Sequence, residues 1–234
     1  MKNIIYEDEH ILVAFKPAGI ATETKRVGQQ DMVSEIRNYL YKKDKQAGEP
    51  YVGLVHRLDQ PVSGLIVFAK TKSAASALSK QINDRKFKKN YYAVVMGKPK
   101  KDEDTLTDYL YKDPRTNMSA VVDRSHPDSK KAVLSYRVVK TLWALEDDTE
   151  ATLLDIDLQT GRHHQIRVQL SNAGIPILGD TKYGSITSKD FSKDVSLRNI
   201  ALCAYRLRFD HPATGREMTF ERKPEDEIFK AFLG

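Results

Sequence analysis

The sequence predicts an α+β fold with a long, mostly antiparallel mixed sheet flanked by helices. Three observations support this prediction. Segments with strand-like and helix-like patterns are interspersed without a strand–helix–strand rhythm. Neither G-x-G-x-x-G nor G-x-x-x-x-G-K-[ST] occurs, which disfavours a doubly wound nucleotide-binding fold. Near the end of the chain, residues 200–209 and 216–222 form a hairpin-like pair around the turn at 211–215.

The strand and helix predictions rest on hydrophobic periodicity and on helix caps and turn residues. The run 65–69 is apolar throughout, as in a buried strand, whereas 151–158 alternates apolar residues with aspartates. The predicted strands are 3–7, 10–15, 65–69, 91–96, 105–111, 132–139, 151–158, 200–209 and 216–222, and the predicted helices are 31–42, 72–84, 163–173 and a short helix from Pro224. The polar stretch 43–50 is predicted to be a loop, and 97–104 is the best position for a subdomain seam.

The composition indicates a soluble, basic protein. The 234 residues include 38 Lys and Arg against 32 Asp and Glu, for a net charge of +6, which favours a polyanionic partner such as nucleic acid. The alternative is an ordinary solvated surface. The single cysteine, Cys203, excludes an internal disulfide, and no Cys/His cluster has metal-ligand spacing. With neither a signal-peptide pattern nor a membrane-length apolar stretch, we expect a cytoplasmic protein that binds no metal and no membrane.

The first segment with candidate chemistry is HRLDQPVSGL, residues 56–65, which places Asp59 in a turn before an apolar strand. A loop in this position can hold a carboxylate rigidly at a cleft. The alternative is that Asp59 is a turn residue whose side chain accepts local N–H groups.

The second segment is TGRHHQIRVQL, residues 160–170, which continues to Gly184. A helix over 163–173 would bury Ile166, Leu170 and Ala173 and would place His164, Arg167 and Ser171 on the opposite, polar face. Arg167 could then meet a carboxylate through a bidentate fork, and the alternative is a solvated helix face. Adjacent histidines diverge by about 100° on a helix, so His163 and His164 are poor joint metal ligands.

The third segment is RKFKKNYY, residues 85–92, which interleaves cations and aromatics at the start of a strand. Phosphate contacts and base stacking need this mixture. The alternative is a basic helix end that stabilises its own dipole.

The motifs HRLDQPVSGLIVFAK, KNYYAVVMG and TGRHHQIRVQLSNAGIPILGDTKYG occur in the order found in RluA-type RNA pseudouridine synthases, which this sequence resembles from residue 56 to 184. The stretch ILVAFKPAGI also resembles the start of that family's catalytic domain. One departure is Val62, where the family often has threonine, and this change puts a local hydroxyl hydrogen bond in doubt.

The resemblance implies a pseudouridine synthase catalytic-domain fold with a central cleft, formed by one domain over 1–234. Many relatives carry a separate small RNA-binding domain before the catalytic one, but here the 58 residues ahead of Asp59 are filled by strand and helix patterns of the catalytic domain, so we expect that domain to be absent. It implies that Asp59 is the catalytic aspartate, that Tyr91 is the active-site tyrosine and that Arg167 pairs with the aspartate. Arg57 matches a residue that helps to open the RNA. The RNA-binding residues expected from these segments are Arg57, His56, Arg85, Lys86, Lys88, Lys89, Arg162 and His164.

The expected function is therefore the isomerisation of specific uridines in structured ribosomal or transfer RNA, by a monomer that needs no cofactor. Two alternatives remain open at this point. A nucleoside hydrolase or glycosidase normally uses two carboxylates, whereas the motifs offer Asp59 and only Asp180, which we interpret as a turn cap. A non-catalytic RNA-binding module would have no need for Asp59, Tyr91 and Arg167 together.

Overall fold

The structure is a computed structural model, and it describes residues 3–26, 28–44, 48–144 and 149–234. Strands and helices mix along the chain as an α+β protein requires, which confirms the predicted fold class. The chain forms two compact units: one comprises Met1–Lys88 and Ala204–Lys223, and the other comprises Lys89–Cys203 and Pro224–Gly234. The chain therefore passes between units at these points and not within 97–104, while its division into domains stays a prediction.

In the first unit the strand order is β1-β2-β4-β10, with β11 on β10 and β3 on β4. The pairs β1–β2, β2–β4, β3–β4 and β10–β11 are antiparallel. The helices and strands of this unit are β1 (Ile4–Glu7), β2 (Ile11–Lys16), α1 (Met32–Lys43), β3 (Gly53–Leu54), β4 (Ser63–Ala69), α2 (Lys72–Asn83), most of β10 (Leu202–Asp210) and β11 (Glu217–Glu221).

Both faces of the β2–β4 pair are covered, which explains why every residue of β4 is buried, as its apolar run predicts. One face packs on the α2 residues Ala74 and Leu78, and the other packs on an apolar stripe of α1. Asp31 caps α1 by accepting a hydrogen bond from Ser34 N at 2.7 Å. Thr71 caps α2 in the same way, through Ala74 N.

In the second unit the strand order is β5-β9-β8-β6-β7, and each pair is antiparallel. The alternation predicted over 151–158 is confirmed, because Leu154, Ile156 and Leu158 are buried and the intervening aspartates are partly exposed. This unit contains most of β5 (Lys88–Met96), β6 (Glu103–Asp113), β7 (Met118–Val122), β8 (Lys130–Ala144), β9 (Thr149–Leu158), α3 (Gln165–Asn172), α4 (Ile186–Asp194) and α5 (Glu227–Leu233).

Three details differ from the predictions or extend beyond them. The helix predicted over 163–173 begins at Gln165, and Ala173 is exposed instead of buried. Strands β3 and β7 and helix α4 were not predicted. The predicted loop 43–50 includes 45–47, which lie outside the described residues.

Within the described ranges no helix is long and apolar enough to span a membrane.

Candidate active site

The segment that carries Asp59 is fixed on its N-terminal side by a buried threonine. Thr22 Oγ1 donates to Leu58 O at 2.8 Å and accepts from Leu58 N at 3.2 Å. Asp59 O accepts from Val62 N at 3.0 Å, which forms the turn that the sequence predicts. The backbone on both sides of Asp59 is therefore restrained, and its side chain remains partly exposed.

On the C-terminal side the segment is tied to the turn that follows β2. Gly19 N donates to Gln60 O at 2.9 Å, and Gln60 Nε2 donates to Gly19 O at 3.0 Å. These reciprocal bonds join two sequence motifs that lie about 40 residues apart.

Lys16 completes this arrangement, although it was not among the predicted site residues. Its fully buried ammonium donates to Pro17 O, Ile20 O and Gln60 O at 3.0, 2.6 and 3.0 Å. Burial lowers the pKa of Lys16 to about 7, and the negative charge of Asp59 opposes that shift. The signal in the sequence was a lysine at the end of an apolar run, which was interpreted only as the start of a turn.

Close packing also fixes the strand that leaves this segment. Gly64 has a φ of +136°, and a Cβ there would overlap the backbone of Ala204. Only glycine fits that approach. Val62, the departure from the family pattern, is buried.

His56 and Arg57 point to different environments. His56 is buried, its Nε2 accepts from Val67 N at 3.2 Å and its ring lies 5.2 Å from that of Phe87. Arg57 is exposed. The histidine therefore supports the segment from the core, and a contact between His56 and RNA stays a prediction.

The basic segment after α2 begins with a left-handed residue. Arg85 has a φ of 58°, and both Arg85 and Lys86 are exposed. Phe87 is buried and stacks on Phe209 at 5.1 Å. Lys88 is partly buried at the start of β5. Contacts between these two exposed cations and a polyanion stay a prediction.

In the second unit, Arg167 does not lie on a polar helix face, and that part of the prediction is wrong. Arg167 is 4% exposed, and its Nε and Nη2 donate to Asp180 Oδ2 and Oδ1 at 2.8 and 2.7 Å. Asp180 also accepts from the backbone N–H groups of Lys182 and Tyr183. It is a turn residue, as expected, but it is also a bidentate partner of arginine.

Burial raises the pKa of Asp180, but the hydrogen bonds and charge of Arg167, together with the backbone N–H groups of Tyr183 and Lys182, outweigh that effect and hold the pKa below its usual value. The Tyr183 ring lies 5.1 Å from the guanidinium carbon of Arg167. One edge and one face of the guanidinium are thereby fixed.

His164 occupies a left-handed conformation immediately before α3, with a φ of 53°. Its Nδ1 lies 2.7 Å from Tyr183 Oη, which accepts from Ser119 N at 2.8 Å. His163 stacks on His164 at 3.7 Å and bonds Ser119 Oγ through Nδ1. The histidine pair therefore helps to hold Tyr183, whose ring contacts Arg167.

Gln165 organises the loop before α3. Its Oε1 accepts from Arg162 N at 3.0 Å and from Thr160 Oγ1 at 2.8 Å. Arg162 is exposed, and its Nε donates to Lys131 O. Arg162 is therefore an exposed cation on a loop whose backbone is held by hydrogen bonds to Gln165.

Tyr91 and Lys89 lie on β5, two residues apart and therefore on one side of the strand. Tyr91 is 5% exposed and pairs with Ile156 on β9. Lys89 is partly buried.

No group of three or more His, Cys, Asp or Glu side chains arranged to hold a metal ion occurs among the described residues.

Comparison with known proteins agrees with the motifs. A family model described as RNA pseudouridylate synthase matches residues 10–172. The chain is 35% identical over 230 residues to ribosomal large subunit pseudouridine synthase D of Nitrosomonas europaea, covering 96% of this chain and 62% of that protein. It is 37% identical over 236 residues to the enzyme of the same name from Pseudomonas aeruginosa, covering 97% and 69%. The chain thus spans about three fifths to two thirds of the length of these relatives.

The fold also matches a solved structure of human RNA pseudouridylate synthase domain containing 4. The TM-score is 0.77 with 23% identity, covering 99% of this chain and 92% of that one. The family match covers more than half of the chain, and the two bacterial relatives exceed 30% identity, so the resemblance to RluA-type enzymes is confirmed and the chain belongs to the RNA pseudouridylate synthase family.

Proposed function

We propose that this chain isomerises uridine to pseudouridine in RNA, with Asp59 as the catalytic carboxylate. The observation that carries the proposal is the restrained Asp59 segment. Thr22 holds one side of it, and Lys16 and Gly19 hold the other, while the carboxylate stays partly exposed. A carboxylate on a fixed backbone is what a positioned nucleophile or base requires.

In the proposed reaction the bond between C1′ and N1 of uridine breaks, the base turns, and C1′ bonds to C5. The proton on C5 is removed and N1 gains a proton, so no atom is added and no electron is transferred. Asp59 acts on the uridine as nucleophile or proton acceptor, and the catalytic role of Arg167 stays a prediction from the family resemblance. Tyr91 either stacks on the flipped base or takes the C5 proton. We propose no cofactor.

For the substrate we propose ribosomal RNA of the large subunit. The names of the two bacterial relatives support this choice, whereas transfer RNA rests only on the family resemblance. Arg57, Arg85, Lys86 and Arg162 are exposed cations suited to phosphate contacts. Action as a cytoplasmic monomer is part of the proposal.

The test is to incubate the protein with transcribed large-subunit ribosomal RNA and, separately, with transfer RNA, and to measure pseudouridine and free uracil. We expect pseudouridine in the ribosomal RNA without release of uracil. Free uracil would indicate a hydrolase, and unchanged RNA would indicate a binding module.

Asp59→Asn tests the catalytic residue. Asparagine keeps the side-chain shape and removes the negative charge, so we expect turnover below detection, a melting temperature near that of the parent, and RNA affinity at least equal to the parent's. Asp194→Asn, at an exposed position on α4, is the matched control and should keep full activity. If Asp59 is only a turn residue, Asp59→Asn will instead retain activity once folded, because asparagine serves in caps and turns about as well as aspartate does.

A further inference from the structure

Lys89 is a partly buried ammonium with no counter-charge among the residues that the structure describes. In the described part of the chain, Lys89 Nζ has neither a hydrogen-bond acceptor nor an ion-pair partner, and burial lowers its pKa. Buried cations are costly unless an anion or several acceptors compensate them. Lys16, the other buried lysine described above, has three carbonyl acceptors. The contrast points to a partner of Lys89 that the described residues do not supply.

The loop beside Lys89 leaves its ammonium accessible. A Cβ on Gly161 would lie 3.5 Å from Lys89 Nζ, so the absence of a side chain there leaves that side of the ammonium uncovered. Gly161 is exposed, and the neighbouring Thr160 and Arg162 are both held by Gln165. Lys89 and Arg162 therefore lie beside Gly161, which is exposed and whose two neighbours in the chain are held by hydrogen bonds.

The two sides of the β5–β9 pair differ in charge. Asn90 and Asp157 are register partners and share the side opposite to Lys89 and Tyr91. That opposite side is part of a concave surface whose charged residues are four acids and one arginine, namely Glu103, Asp104, Asp155, Asp157 and Arg137. A polyanion is repelled there, so RNA that reaches this sheet is favoured on the side of Lys89 and Tyr91.

We propose that Lys89, beneath the loop of Gly161, binds a backbone phosphate of the nucleotide whose base contacts Tyr91. The two residues are about 6.6 Å apart along the strand, which is similar to the distance between a base and the phosphate of its own nucleotide. This site fixes the reactive uridine through its backbone, and it rests on the proposed function for the identity of that nucleotide.

The first test measures binding of a ten-nucleotide oligouridylate by fluorescence anisotropy over a range of salt concentrations. Lys89→Met keeps the aliphatic packing and removes the charge, and we expect affinity to fall about 10- to 100-fold, the effect of losing one charge-assisted contact. The slope of log affinity against log salt should decrease by about 0.7, the value for one phosphate of a single strand. Lys89→Arg should recover most of the affinity, and Lys42→Met, at an exposed position on α1, should not change it.

Stability separates this role from a structural one. Because the ammonium lacks a partner within the described chain, Lys89→Met should leave the melting temperature unchanged or raise it. A lower melting temperature with parental affinity would overturn the proposal.

A double-mutant cycle locates the phosphate. It uses the shortest RNA that the parent modifies, with an uncharged methylphosphonate on the 5′ or the 3′ side of the modified uridine. One of these linkages should weaken binding by the parent about 10- to 100-fold and should have no effect on Lys89→Met. Additive losses at both linkages would overturn the proposal. If the parent forms no pseudouridine in any RNA, the proposed function fails, while the oligouridylate experiment still tests the phosphate contact.

Discussion

Lys16 shows how a buried charge can stabilise a functional loop. Its ammonium is fully buried and bonds the carbonyl oxygens of Pro17, Ile20 and Gln60. Removing an ammonium from water is costly, and here three acceptors and the nearby charge of Asp59 offset the cost. The geometry of the Asp59 segment therefore depends on a residue that takes no part in the proposed chemistry.

Substitution of Lys16 by methionine should reduce stability and change its pH dependence. The buried carbonyl oxygens lose their donor, so we expect a loss of about 1–3 kcal/mol near pH 7. The folded pKa is about 7, below the ordinary 10.5, so between these values the unfolded chain binds the proton more strongly and the parent's free energy of unfolding rises with pH.

Urea titrations from pH 6.5 to 9 measure this effect. The difference in unfolding free energy between parent and Lys16→Met should be constant below about pH 7 and should grow above it, whereas Lys42→Met should follow the parent throughout. A difference that does not vary with pH would show that the folded protein does not lower the pKa of Lys16.

Among the elements, two turns of the first unit are joined by Asp8. Its carboxylate accepts from the backbone N–H groups of His10 and Ile11, from Tyr6 Oη and from His211 Nε2, all at 2.7–2.8 Å. His211 Nδ1 accepts from backbone N–H groups, which assigns the proton to Nε2. The β1–β2 turn is thus tied to the β10–β11 turn.

Asp8→Asn should destabilise this connection by about 2 kcal/mol, because an amide N–H₂ would face donors where a carboxylate accepts four bonds. Burial raises the pKa of Asp8, but hydrogen bonds from Ile11, His10, Tyr6 and His211 outweigh it and lower the pKa to about 2. The stabilisation is therefore complete above pH 3.8 and is lost as the pH falls towards 2.

Circular dichroism between pH 5 and pH 2 follows this loss. The parent's stability should fall steeply through that window, and Asp8→Asn should show a shallower dependence, with Asp194→Asn as the control. An equally steep decline in Asp8→Asn would mean that other carboxylates dominate acid unfolding.

The sequence predicted elements well where burial produced a simple pattern. The apolar run of β4 and the alternation of β9 were confirmed because each follows directly from which faces are covered. The prediction that helix α3 has one buried face and one polar, exposed face was wrong, because polar residues of this helix are buried as well. Gln165 bonds Gln169 at 2.9 Å and Arg167 bonds Asp180, and neither pairing is visible in a linear pattern.

The missed elements carry weak patterns. Helix α4 buries mainly serines, Ser188 and Ser192, and it begins at the serine cap Ser185. Lys16 was not predicted as a site residue, and Asp180 was predicted only as a turn cap, because their partners are carbonyl oxygens and a guanidinium placed by the fold. Asp59, Tyr91 and Arg167 were identified through motif resemblance, and their catalytic roles stay predictions.

At the scale of the whole molecule, the net charge is +6, but acidic and basic residues are distributed unevenly over the surface. The concave surface beside β5 and β9 carries Glu103, Asp104, Asp155 and Asp157, with Arg137 paired to Asp155 at 3.2 Å. The exposed cations of the proposed interface lie in other segments. We therefore expect RNA affinity to depend more on the charge close to the binding surface than on the net charge of the chain.

This distribution gives a prediction about RNA binding. The double variant Glu103→Gln and Asp157→Asn raises the net charge from +6 to +8 by removing two acids from the concave surface. If net charge governed affinity, RNA binding would tighten and its salt dependence would steepen. Because we place RNA on the other side of the β5–β9 pair, we expect affinity to stay within about threefold of the parent, since charges more than a Debye length of about 8–10 Å apart are largely screened. Lys86→Met, which lowers the charge by only one, should weaken binding more than the double variant strengthens it. Anisotropy titrations at 100 and 150 mM salt distinguish these outcomes, and a tenfold gain in affinity for the double variant would place RNA on the acidic surface.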